Sequence, residues 1–192
     1  LHKAIRRQRQ MCIRDRITVP RFRTDLPEFD AAEAECKAKM DRLMNIKGKL
    51  SVDTIHKELG HIMWEYVGMA RDKEGLEKAL EEFKRIRKEF DTNLYIPGTQ
   101  DGMNVELDKA FRLNDFITMG ELVAYDALNR NESCGGHFRT EYQTAEGEAK
   151  RDDANYFYVA CWDYQGPDKA PELIKEDLHY EAIKVQTRNY KS

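Results

Sequence analysis

Apolar side chains recur along the first two thirds of this chain at steps of three and four residues, the spacing of one face of an α-helix. Between 51 and 71 the stripe is Ile55, Leu59, Ile62, Met63, Tyr66 and Met69, with Ser51 placed to cap the start. Between 73 and 94 it is Leu76, Leu80, Phe83, Ile86 and Phe90. The outer face of that segment carries Glu74–Lys78 and Glu81–Arg85, oriented favourably at i,i+4. Such pairs contribute only about 0.2–0.5 kcal/mol each, so packing must supply the stability. A longer face runs from 105 to 129 through Leu107, Ala110, Phe111, Leu113, Ile117, Leu122, Val123 and Ala127. An earlier helix is predicted over 30–46, with Asp30 and Glu33 spaced as a capping box, Pro27 just upstream and Gly48 as its stop. Four amphipathic helices on short links predict a mainly α fold. The expected architecture is an antiparallel bundle of three to four helices, spectrin-repeat-like, over residues 28–133, with 17–27 as a linker.

The pattern changes after Asn131. Gly135-Gly136 breaks the helical spacing, and 140–153 is polar and loop-like. Tyr156 to Trp162 is rich in aromatic and β-branched residues and predicts a strand. Gly166-Pro167-Asp168 predicts a turn. Ile183, Val185 and Thr187 alternate with Lys184, Gln186 and Arg188, which predicts a second strand with one wet face. Residues 134–192 are thus expected to form a small C-terminal domain with about two strands, leaning on the bundle because two strands alone bury too little.

Composition narrows the function classes. Of 192 residues, 35% are charged, yet 32 basic and 35 acidic side chains leave a net charge of only −3. Nothing in that balance calls for nucleic acid or polybasic docking to a membrane. The 41% apolar content supports a packed core. No apolar run approaches the roughly 20 residues that span a bilayer. Cys12, Cys36, Cys134 and Cys161 form no Cys-x-x-Cys pair and read as free thiols of a reducing cytoplasm. Residues 1–16, basic and without a helical stripe, contain Met11-Cys12-Ile13-Arg14-Asp15-Arg16, which reads like a translated sequencing-adapter sequence. That stretch is expected to be non-native and stands outside fold reasoning.

Candidate chemistry is sparse. His56 and His61 sit about 140° apart around one helix and cannot share a metal. Two Glu-x-x-His motifs, Glu58–His61 and Glu176–His179, suit a di-metal bundle only if they face each other, and the second lies in a strand-like region. Cys134 and His137 supply two ligands where zinc wants four. No dinucleotide glycine fingerprint, phosphate loop, nucleophile elbow or His-Glu-x-x-His is present. The concentrated polar stretch is Arg130-Asn131-Glu132-Ser133-Cys134-Gly135-Gly136-His137-Phe138-Arg139, at the end of the long helix. Its glycines permit a sharp turn around which the charged and polar side chains can form a buried network. It has the character of a joint.

That stretch resembles the Arg-x-Glu-Ser-Arg-Gly-Ala-His-x-Arg pattern of succinate dehydrogenase and fumarate reductase flavoproteins and the related L-aspartate oxidases. Arg130, Glu132, Ser133, Gly135, His137 and Arg139 match it. Cys134 stands where the pattern has Arg and Gly136 where it has Ala, a departure resembling the long flavoprotein type of bacterial complexes with a dihaem anchor. Upstream, 63–80 and Glu106-Leu107-Asp108-Lys109-Ala110-Phe111 resemble the family's helices; downstream, Arg151-Asp152-Asp153 with Asn155 and Arg188-Asn189-Tyr190 resemble its closing motifs.

The resemblance implies the C-terminal part of an FAD-dependent oxidoreductase that interconverts succinate and fumarate. In that family a hydride passes between substrate carbon and flavin N5, an Arg donates the proton, and His, Thr and Arg side chains hold the dicarboxylate. The residues that do this, the phosphate loop and the flavin-bearing His are expected upstream of a truncated chain. No catalytic, cofactor-binding or metal residue is therefore expected in it. Arg130, Glu132, Ser133, His137 and Arg139 are expected to form an inter-domain docking joint. The implied partners are the FAD-binding and capping domains of the same subunit, an iron–sulfur subunit and a membrane anchor, at the cytoplasmic face of a bacterial inner membrane. Two other classes compete: a free-standing helical binding module, and a small metalloprotein using Cys134 or the Glu-x-x-His motifs.

Overall fold

The computed structural model describes residue 23 and residues 25–186; the adapter-like segment 1–16 and the closing Arg188-Asn189-Tyr190 lie outside the described residues. The chain divides into two compact units, Leu1–Asp41 and Arg42–Ser192, with the division inside the first helix, α1 (Pro27–Asn45). This helix begins three residues earlier than the capping-box reading. Pro27 occupies its first position, where a missing N–H is harmless, and Glu28 and Asp30 fill the first turn beside the positive helix end. Only Leu43 of α1 is buried.

In the second unit, α2 (Val52–Tyr66), α3 (Lys73–Asn93) and α4 (Val105–Asn129) pack on one another as a three-helix bundle, giving with α1 a mainly helical fold of four long helices. Each bundle helix starts on a side-chain oxygen that accepts a backbone N–H: Ser51 Oγ from Thr54, Asp72 Oδ1 from Gly75, and Asn104 Oδ1 from Leu107. The core is built from Ile55, Leu59 and Ile62 of α2, Leu76, Phe83, Ile86 and Phe90 of α3, and Leu107, Leu113 and Ile117 of α4. A Cβ on Gly120 would lie 3.2 Å from Met63 Sδ and 3.3 Å from the Phe83 ring, so the smallest residue lets three helices close around Phe83. Residues 48–50 hydrogen-bond to the chain leaving α3, Gly48 N–H to Leu94 O and Tyr95 N–H to Leu50 O, and seal the bundle end.

Three expectations about this part are corrected. α2 ends at Tyr66, not near Arg71, because the Val67 N–H closes on Met63 O and the chain then turns away through Gly68. Met69 therefore lies outside the stripe and is exposed. On α4 the buried face is narrower than predicted: Val123 is exposed, and Phe111 and Leu122 are half-buried.

Beyond α4, a single turn α5 (Asp153–Tyr156) precedes an antiparallel hairpin of β1 (Tyr158–Asp163) and β2 (Glu172–Asp177). Register runs from Tyr158 opposite Asp177 to Asp163 opposite Glu172, and the link carries the expected turn at 167–168. The second strand is thus not 183–187. Ile183 and Val185 alternate, but they sit exposed in irregular chain with no strand partner among the described residues, and Thr187 lies outside the described residues. β2 is charged along most of its length and holds its place through backbone pairing. The hairpin leans on α4 through Trp162, whose indole N–H donates to Asp126 Oδ1 at 2.9 Å while its ring lies beside Tyr125.

Phe83 is the hub of the bundle, so Phe83→Ala is expected to lower unfolding free energy by about 3–5 kcal/mol. Urea denaturation followed by circular dichroism measures it; a loss under about 1 kcal/mol would mean the three helices do not close around this ring.

Candidate functional site

An α-helix leaves its last carbonyls without partners and its first N–H groups without acceptors. In this chain one side-chain pair serves both needs. Arg139 is 1% exposed, and its Nη1 donates to Ala127 O at 2.9 Å and Leu128 O at 3.2 Å, the final turn of α4. The other edge of the guanidinium meets Glu141 in a fork, Nε to Oε2 at 3.1 Å and Nη2 to Oε1 at 3.2 Å. Glu141 Oε1 also accepts the Lys73 N–H, at the first position of α3, at 2.6 Å. A cation therefore sits on a helix C-terminus and an anion on a helix N-terminus, the arrangement both dipoles favour. Partial burial works to raise the Glu141 pKa, but the Arg139 hydrogen bonds and the Lys73 N–H outweigh it and bring the carboxyl down to about 2.

The segment that carries Arg139 is folded by its own backbone. Cys134 and His137 exchange two backbone hydrogen bonds, 2.8 and 3.0 Å, across Gly135-Gly136. Gly135 has φ +59° and Gly136 does not share a positive φ, the pattern of a type II′ turn. Ser133 Oγ donates to Arg139 O at 3.0 Å and accepts the Arg139 N–H at 2.9 Å. Glu132 Oε1 accepts from Arg130 Nε and Oε2 from the Asp152 N–H, tying the turn to residues 150–152. Arg130 Nη2 donates to Tyr156 O at 2.6 Å, and its guanidinium lies over the Tyr156 and Tyr158 rings. All five residues predicted for the joint, Arg130, Glu132, Ser133, His137 and Arg139, are brought into this one cluster.

His137 bridges the cluster, and its partners define its tautomer. Nε2 lies 2.8 Å from Arg130 O, a carbonyl that can only accept, so Nε2 carries the proton. Nδ1 then accepts from Arg71 Nη2 at 2.9 Å. Burial, with Arg71 and Arg130 adding to it against the pull of the Arg130 carbonyl, holds the imidazole below its usual pKa. With both ring nitrogens engaged, His137 has no free lone pair for a metal.

Arg71 and Glu141 belong to the cluster and were not singled out from the sequence. Arg71 enters from the α2–α3 link: its N–H donates to Phe138 O and its C=O accepts from the Thr140 N–H. The Arg71 Nε is buried and finds no acceptor among the described residues. The Glu-x-x-His pairs are not united; Glu58 pairs instead with Arg85. Among the described residues no group of three or more His, Cys, Asp or Glu could hold a metal ion, and Cys36, Cys134 and Cys161 are free. No described helix is long and apolar enough to cross a membrane.

Residues 56–190 match the family described as fumarate reductase flavoprotein C-terminus. An uncharacterized FAD-dependent oxidoreductase of Methanocaldococcus jannaschii is 32% identical over 124 residues, 65% of this chain and 22% of that protein. A fumarate reductase flavoprotein subunit of Proteus vulgaris is 30% identical over 150 residues, 78% of this chain and 24% of that one. Among solved structures, a quinol–fumarate reductase with menaquinol molecules superposes with a TM-score of 0.71 at 23% identity, covering 88% of this chain and 28% of that chain. The chain belongs to the family of the fumarate reductase flavoprotein C-terminal region. It spans about a quarter of the length of the curated relatives it matches.

Arg139→Lys keeps the charge but cannot span both helix ends, and is expected to destabilise by about 2–3 kcal/mol in chemical denaturation. Wild-type stability would contradict the fork. The titrating groups add a pH profile. The folded state disfavours protonated His137, so its stabilisation is complete above the unfolded pKa of 6.5 and is lost as pH falls through the depressed folded value. Glu141, also depressed, adds a second loss from 4.5 down towards 2. In His137→Gln the limb starting near 6.5 should vanish while the more acidic limb stays; persistence of the limb near 6.5 would contradict the His137 assignment.

Proposed function

We propose that this chain is the C-terminal part of a flavoprotein subunit that interconverts succinate and fumarate on FAD, and that its share of the task is structural. The observation that carries this is the family match over residues 56–190, together with a span of only about a quarter of the relatives. The residues present do not fit a dinucleotide. The sequence has no Gly-x-Gly, so the phosphate-binding turn is missing. The polar side chains of the joint, the Arg71 Nε apart, are satisfied among the described residues. No step of hydride or proton transfer is therefore assigned to these residues.

The joint acts as an inter-domain anchor. Arg130, Glu132, Ser133, His137 and Arg139 lock the turn 133–139 onto the ends of α3 and α4 and hold residues 150–158 beside them. The FAD-binding and capping regions of the same polypeptide then meet one stiff platform instead of a bundle with a loose tail. The assembled subunit works with an iron–sulfur subunit and a membrane anchor, held peripherally at the cytoplasmic face of a bacterial inner membrane. The likeness to a quinol–fumarate reductase supports that placement, and the described helices, none of them able to cross a membrane, are compatible with a peripheral position.

The test is a chimera in which this chain replaces the matching C-terminal quarter of the Proteus vulgaris subunit. The chimera is expected to retain flavin and reduce fumarate with a chemical electron donor. A chimera that folds but neither holds flavin nor turns over would refute the proposal, and would favour a free-standing helical module, which the bundle's own complete core could sustain.

A further inference from the structure

The link between α2 and α3 is lightly held. Val67 is buried, but Met69, Ala70 and Asp72 are exposed. Arg71 fastens the link to the turn 133–139. Its N–H donates to Phe138 O at 3.2 Å and its C=O accepts the Thr140 N–H at 2.9 Å. Its side chain donates from Nη2 to His137 Nδ1 at 2.9 Å and from Nη1 to Val67 O at 3.3 Å. A stretch with so little buried surface opens at far lower cost than the core.

The side-chain half of that fastening needs a neutral imidazole. A guanidinium does not give up its proton. Burial works against the Arg71 charge, Asp126 supports it and Arg139 opposes it. Its Nε finds no acceptor among the described residues, so the Nδ1 lone pair is the closest contact this cation has. The His137 Nε2 proton is already donated to Arg130 O, so a second proton can enter only at Nδ1. Two donors and two positive charges would then meet at 2.9 Å, and attraction turns into repulsion. Burial, Arg71 and Arg130 oppose a charged ring, while the Arg130 carbonyl and Asp126 favour it.

We infer that His137 is a proton-operated latch: neutral, it holds the α2–α3 link against the turn 133–139 through Arg71, and protonated, it releases the link while the bundle stays folded. The next fastening along the chain does not respond in the same range. Lys73 N–H rests on Glu141 at 2.6 Å, and that carboxyl stays ionised down to about 2. The start of α3 therefore keeps its place, and the opening is confined to residues 68–71. The folded-state pKa of His137 lies below 6.5, so the latch is closed above that value and opens as pH falls through the folded one.

Amide hydrogen exchange of the full chain, read residue by residue by NMR and corrected for intrinsic pH dependence, tests the latch. As pH falls from about 7 to about 5, the Arg71 and Thr140 amides are expected to lose protection. The Lys73 and Phe83 amides should keep theirs. In His137→Gln, which offers an acceptor and gains no proton, the loss should disappear. Arg71→Met removes the opposing cation, so the His137 ring should titrate at higher pH than in the wild type. Three results would overturn the inference: the same acid loss at Arg71 and Thr140 in His137→Gln, a loss that strikes Phe83 equally, or a His137 titration that Arg71→Met leaves unmoved.

Discussion

A helix end is an electrostatic debt, and this domain settles two of them with one buried arginine. The Arg139 guanidinium caps the carbonyls of α4 and, through Glu141, the N–H groups of α3. Removing Glu141 would leave the buried Arg139 charge without its anion, so the pair specifies a geometry more than it adds stability. The position of the turn 133–139, and through Glu132 that of residues 150–152, follows from that geometry. His137 and Arg71 extend it to the α2–α3 link.

The consequence is a division of labour. Three helices closing on Phe83 provide the core. The joint fixes a poorly buried C-terminal segment against that core, where a two-stranded sheet of its own would be marginal. Side-chain chemistry at the joint is turned inward. Family membership and the span of about a quarter of the relatives' length are what the proposed structural role rests on.

The helices were legible because their information is local: apolar spacing and capping residues such as Ser51 act within a few positions. The five joint residues were legible as a contiguous polar stretch interrupted by glycines, although their partners were not. Arg71 reaches His137 across 66 residues, a proximity that only the folded bundle creates. Glu141 is one acid among 35 acidic side chains, distinguished solely by the fork and the α3 N–H that it meets. β2 escaped notice because its pairing is carried by backbone and its side chains are mostly charged, while Ile183 and Val185 had the alternation without a partner strand. Pro27 was read as preceding a helix that it in fact begins.

The most direct test of the Arg139 keystone is a double-mutant cycle with Glu141, using Arg139→Met, Glu141→Gln and the pair, each followed by chemical denaturation. A charge pair that serves two helix ends predicts a coupling energy of at least about 1 kcal/mol. Additivity within about 0.5 kcal/mol would show that each helix end is satisfied independently, and would contradict the claim that one charge pair joins them.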